Sequence, residues 1–245
     1  MGISSGICLN EIQSSISDNE DKNKAIYKCF KAVTKASHEL KSDFYNIEHG
    51  TGEFLAEFTL NGEVKTFKII PFSPLSHISR NNSINTFKHL ISSDDKYKEK
   101  KNKISVGLLI IFGNRKVCLT GDIINDGLTD DKYNRKLKEM FNEIDFLKIP
   151  HHGGKSSDIF LKLIPGTINC AGVTTYHETN PCPEILHKYI DKSRTLYCTS
   201  NIIDKGSNTF GYGIIKVNIP FEDYKQIESS LEGDTVQINK SFLSS

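Results

Sequence analysis

Ile104-Ser-Val-Gly-Leu-Leu-Ile-Ile-Phe112, then Gly113-Asn114, then Arg115-Lys-Val-Cys-Leu-Thr120 and Gly121-Asp122, is the stretch on which the fold turns. The first segment is a continuous apolar run, which predicts a strand buried on both faces. Gly113-Asn114 predicts a tight turn, and Arg115–Thr120 a return strand. That strand ends at Gly121-Asp122, where glycine lets the backbone turn hard and the carboxylate project from the sheet edge.

The pattern continues toward the C-terminus. Asp130 to Phe141 has helical spacing, with Tyr133, Leu137, Met140 and Phe141 inward. Ile144–Ile149 reads as a strand and runs into Pro150-His151-His152-Gly153-Gly154. A short helix at Ser157–Ile164, a strand at Thr167–Val173, a helix at Glu184–Asp191 and strands at Thr195–Thr199 and Gly211–Ile219 follow. Strands alternating with helices predict an α/β fold with a largely strand-built core.

Toward the N-terminus, Lys22–Leu40 carries Ala25, Ile26, Cys29, Phe30, Val33 and Ala36 at helical spacing. Gly52–Leu60 alternates strictly, Asn61-Gly62 is a strong hairpin signal, and Val64–Ile70 returns. The organisation read from this is a polar lead-in at 1–21, a domain at 22–220 with a polar insertion at about 76–103, and a polar C-terminal tail at 221–245. The lysine run of the insertion (Lys96, Lys98, Lys100, Lys101, Lys103) reads as a solvated face.

The 245 residues suffice for a core without disulfides, and a charged fraction of 25% describes a globular chain. Lys plus Arg number 31 against 30 Asp plus Glu, which excludes a bulk electrostatic nucleic-acid binder. Six cysteines without a CxxC pair exclude a disulfide framework, and Cys118 and Cys170 read as small buried hydrophobes. The longest apolar run, Val106–Phe112, falls far short of a membrane span, and no secretory pattern opens the chain. The expectation is a cytoplasmic protein with no membrane contact.

Ligand-type side chains fall at two strand ends: Asp122 after one, His151 and His152 after another. Rigid strands aim loop residues at such positions. A carboxylate with a neutral imidazole suits Zn²⁺, Mn²⁺ or Fe. By spacing alone, Gly-Asp also reads as a turn and His-His as a surface pair.

The stretch Ser105–Asp122, then Ile144-Asp-Phe-Leu-Lys-Ile-Pro-His-His-Gly153 with Ser156-Ser157, resembles the metallo-β-lactamase superfamily. Within it the chain is most similar to the hydrolase domain of ComEC-type competence proteins. Thr175-Tyr-His177 with Pro181, and Leu196-Tyr-Cys-Thr199, resemble later stretches of that domain. The likeness covers roughly residues 25–220. It implies an αββα sandwich, here incomplete and limited to its C-terminal half. It also implies a metal-dependent hydrolase acting on phosphodiesters. Asp122 matches the bridging metal ligand and His152 the final histidine, with the bound hydroxide as nucleophile. His151 is the alternative metal ligand; otherwise it orients its neighbour or a substrate. His177 and Lys155 would face the substrate.

The family's HxHxDH motif is absent from the chain. The eight histidines are His38, His49, His77, His89, His151, His152, His177 and His187, and none before His151 has that spacing. Asp122 and His152 give two ligands where a metal needs more, so zinc (or manganese or iron) would bind weakly or not at all in the isolated chain. Three readings follow: a hydrolase completed by a partner chain carrying the HxHxDH half, a metal-free degenerate binding module, and a truncated gene product needing a partner half.

Overall fold

The computed structural model describes residues 54–74, 102, 105–128, 131–176, 180–200, 213–221 and 225–239. The helix expected at 22–40, the 1–21 lead-in and nearly all of the 76–103 insertion lie outside the described residues.

Strand β1 (Phe54–Leu60) and β2 (Glu63–Ser73) form an antiparallel hairpin in which Leu60 pairs with Glu63. The two residues between them, Asn61 and Gly62, have φ of 53° and 82°, the left-handed pair that asparagine and glycine accept most readily. Strand β3 (Gly107–Phe112) pairs antiparallel with β2 and with β4 (Arg115–Leu119). The turn at Gly113, φ 55°, stands where the sequence placed it. β3 begins three residues later than expected, and Leu109 is buried while Leu108 and Ile110 are half-buried, so one face is fully covered and the other in part.

From β4 to β7 the strands run parallel. Helix α1 (Asp131–Met140) connects β4 to β5 (Ile144–Lys148). Helix α2 (Ile159–Leu163) leads to β6 (Ile168–Val173), and α3 (Pro183–Lys192) to β7 (Ser193–Cys198). Each strand is laid beside the last in the order β4-β5-β6-β7. Right-handed crossovers that step steadily in one direction put all their helices on one face.

The register explains that face. Ile70, Leu109, Cys118, Leu147, Ala171 and Leu196 are paired neighbour to neighbour across six strands. They pack in one core with Leu137, Phe141, Phe160, Leu163, Leu186 and Tyr189 from the helical layer. Phe72, Phe141 and Phe160 form an aromatic cluster with ring centroids 5.0–5.7 Å apart. Cys118, Cys170, Cys182 and Cys198 are free and buried, as the sequence suggested for the first two. Burial raises the thiol pKa of Cys118 and Cys170 and pushes that of Cys198 up to about 11.

The described part of the segment read as a polar tail, residues 225–239, is structured. It holds β9 (Glu228–Gly233), which pairs with β8 (Gly213–Asn218), and β10 (Val236–Gln237), which joins the main sheet beside β7. The β8–β9 ribbon lies against the sheet face opposite the helices. The Tyr197 hydroxyl is 2.7 Å from Ser229 Oγ, and a Cβ on Gly172 would lie 3.5 Å from Ile215. The expected α/β class is the class observed, with an eight-stranded mixed sheet and a two-stranded ribbon. Among the described residues no helix is long and apolar enough to cross a membrane.

Candidate metal centre

Parallel strands bring their carboxyl ends to one edge of the sheet, where α/β folds gather their sites. Here β4 delivers Asp122, β5 delivers Lys148, His151 and His152, and β6 delivers Thr174 and Tyr176. The first two ends are bolted together: Thr120 Oγ1 donates to the Lys148 carbonyl at 2.7 Å, and His151 N donates to the Gly121 carbonyl at 3.2 Å. Gly121 has φ 55°, and a Cβ there would lie 2.9 Å from the Val106 carbonyl oxygen. Only glycine fits that turn, and the turn carries Asp122 out of the sheet.

The Pro150–Gly153 turn is unusual. His151 (φ 45°, ψ 45°) and His152 (φ 53°, ψ 26°) are both left-handed, and Gly153 continues at φ 68°. The turn is pinned from outside by Gly154 N donating to the His151 carbonyl and Cys182 N to the Gly153 carbonyl, each at 2.9 Å.

This conformation aims the two rings differently. His152 Nδ1 lies 2.8 Å from Thr174 Oγ1 and 3.2 Å from the Thr174 carbonyl oxygen. A carbonyl only accepts, so Nδ1 carries a hydrogen toward Thr174, and Nε2 is turned toward Asp122. That Nε2 lies 3.6 Å from Asp122 Oδ1. The ring is held flat against Tyr176, with centroids 4.8 Å apart and planes at 23°. The His151 ring is engaged at both nitrogens: Asn102 Nδ2 donates to Nε2 at 3.0 Å, and Nδ1 is 3.3 Å from Ser156 Oγ. Burial lowers the His151 pKa; the nearby His152 and Lys148 add to the shift and Asp122 opposes it.

Lys148 closes the arrangement. Its Nζ donates to the Gly121 carbonyl at 2.8 Å and to the Ile149 carbonyl at 3.5 Å, and lies 3.9 Å from Asp122 Oδ1. Burial lowers its pKa, opposed by Asp122.

The donor set fits a metal in kind and in spacing. Two ligand atoms about 2.0–2.2 Å from a tetrahedral metal stand about 3.3–3.6 Å apart, and Asp122 Oδ1 and His152 Nε2 are separated by 3.6 Å. In number the set is short, since no group of three or more His, Cys, Asp or Glu among the described residues is placed to hold a metal. Of the other site residues expected from the sequence, Lys155 is exposed and makes no hydrogen bond or ion pair with Asp122, His151 or His152. His177 lies outside the described residues, as do His38, His49, His77 and His89.

Lys148, Thr174 and Asn102 were not singled out from the sequence. Two of them had a signal. Lys148 is a cation near the end of the run Ile144–Ile149, whose only other polar residue is Asp145, and Thr174 follows β6 as Asp122 follows β4. Asn102 had none, because it reaches His151 across 49 residues of chain. Comparison of the chain with family models, with curated proteins and with solved structures finds no match.

Proposed function

We propose that this chain carries part of a metallo-β-lactamase-like, metal-dependent hydrolase site directed at phosphodiesters. Its ligands are Asp122 and His152, and the rest of the set comes from residues of this chain outside those described. The observation that carries this reading is the 3.6 Å approach of His152 Nε2 to Asp122 Oδ1, with the imidazole tautomer set by Thr174. The layering supports the finer fold as well: among the described residues, helices, then a large sheet, then the β8–β9 ribbon on the opposite face correspond to three of the four layers of an αββα sandwich.

In this reading Asp122 brings the negative charge, and His152 a neutral nitrogen whose direction Thr174 and Tyr176 hold. His151 orients the turn through Asn102 and Ser156 and is not itself a ligand. Lys155 is assigned to the substrate side by the resemblance, as is His177, which lies outside the described residues. A divalent metal held there supplies Lewis-acid activation of water and of a phosphoryl oxygen.

The test is metal content after loading with Zn²⁺, beside bis(4-nitrophenyl) phosphate hydrolysis, for the protein and for Asp122→Asn and His152→Gln. The expected result is about one bound zinc per chain in the unaltered protein, lost in both variants together with any hydrolysis. Metal retained in both variants, or absent from all three proteins, overturns the assignment. A metal-free binding module is the second reading, favoured by the absence of a three-ligand group among the described residues. It expects partner binding indifferent to Asp122→Ala and His152→Ala.

A further inference from the structure

The two faces of the main sheet are covered unequally. On the helical side Leu109, Cys118, Leu147 and Ala171 stand in one paired row and are fully buried. On the other side the row Ile69, Ile110, Val117 and Phe146 is paired across β2–β5, and every member is only half-buried. Phe67 and Phe112 pair in the next row out, with ring centroids 5.3 Å apart, and are half-buried too. The β8–β9 ribbon covers this face at Gly172 and Tyr197, on β6 and β7, and Phe221 just past β8 reaches Phe112. Over β2–β5 the described residues leave an apolar sheet face unclosed, and a sheet buries such a face against another element.

We infer that residues 22–40 cover this face as an amphipathic helix lying beside the β8–β9 ribbon. The pattern of the segment fits. At the helical repeat Ala25, Ile26, Cys29, Phe30, Val33 and Ala36 fall within an arc of about 140°, and Lys24, Lys28, Lys31 and Lys35 lie opposite. Its length fits: such a helix is about 28 Å long, enough to run along six-residue strands such as β3, which are about 20 Å. Its tether fits as well. The chain enters the sheet at Phe54, which pairs with Ile69 and so stands at the end of the half-buried row. Residues 41–53 can span at most about 45 Å, and β5 lies about 19 Å from β1. A segment tethered this close meets the face at an effective concentration on the order of millimolar, ahead of a free second copy of the chain.

Cys29 lies in the apolar stripe and serves as the probe, because alkylation needs an accessible thiolate. The measurement is the rate of iodoacetamide labelling of Cys29, read by mass spectrometry of its peptide, with each protein compared with itself in urea. In the unaltered chain Cys29 should label at least about tenfold more slowly than in urea. Phe30→Asp on the segment and Ile110→Asp on the sheet should each bring it to within about twofold of the urea rate. Cys118, buried on the helical side, labels slowly for as long as the sheet is folded. If Ile110→Asp exposes Cys118, Ile110→Ser takes its place and should speed Cys29 at least about threefold. Labelling of Cys29 at its urea rate in the unaltered chain overturns the inference, as does protection that survives substitution of Ile110. Protection that falls on dilution, together with a dimer on gel filtration, gives the face to a second copy and overturns it as well.

Discussion

His151 and His152 occupy consecutive left-handed conformations, each costing a residue with a Cβ about 1–2 kcal/mol. A backbone strained twice in a row persists only where its surroundings over-determine it, and such strain gathers at sites that need a fixed geometry. For His151 the surroundings also fix a charge state. Asn102 donates to Nε2, so a proton on that nitrogen has no acceptor unless the amide turns over. Burial pulls the pKa below the ordinary value of 6.5 in the same direction. The sign follows from linkage. Above the unfolded pKa both states are neutral and the full stability is present. As the pH falls through it toward the lower folded value, the unfolded chain takes up the proton first and the native state loses ground. His151→Asn tolerates the left-handed backbone and does not titrate in this range. The advantage of the unaltered protein over this variant should shrink as the pH is lowered from about 7.5 to 5.5, measured by urea unfolding at each pH. Parallel stability curves would show that His151 is not held neutral by the fold.

At the scale of elements, β4 and β5 are joined at both ends by different chemistry. At the carboxyl ends Thr120 and Lys148 build the site. At the opposite ends Asp145, 5% exposed, accepts from Arg115 Nη1 at 3.1 Å, Lys116 N at 2.8 Å and Asn169 Nδ2 at 3.2 Å. Removing one partner of a buried ion pair leaves the other uncompensated, so Asp145→Ala should cost about 3–5 kcal/mol. Because Asp145 lies at the other end of the strand, the folded fraction should keep the zinc affinity of the unaltered protein. Denaturant unfolding and zinc titration on the same sample check this, and a loss of affinity without a loss of stability would sink it. The pair also shows where sequence reading stops. Turns were legible because Asn61-Gly62 and Gly113-Asn114 carry their conformation locally. Asp122 and the His151-His152 pair were legible as strand-end residues. The roles of Asp145, Lys148, Thr174 and Asn102 arise only from strand register and crossovers, which bring together residues tens of positions apart.

At the scale of the molecule, the C-terminal segment closes the sheet although its composition reads as solvated. β9 is exposed along its length and β10 is two residues long, too short for any periodicity to show. The contacts that hold them are single anchors in polar sequence. Val236 pairs with Cys198 and Gln237 with Tyr197, Ile238 N donates to the Leu196 carbonyl at 2.8 Å, and Ile238 is 3% exposed in the common core. Further back, the Lys225 carbonyl accepts from Arg115 Nη2 at 2.6 Å, tying the segment to β4. Without β10 the β7 edge would present unpaired backbone groups, a template for aggregation. Ile238→Ala removes buried methyl groups and should cost about 2–4 kcal/mol. Leu231→Ala, on the exposed ribbon at 38% exposure, should change stability by no more than about 0.5 kcal/mol. Urea unfolding of both variants beside the unaltered chain gives the comparison. A segment that only trails from the domain would leave both variants unchanged, whereas a segment that completes the sheet separates them, with Ile238→Ala also the one prone to aggregate on heating.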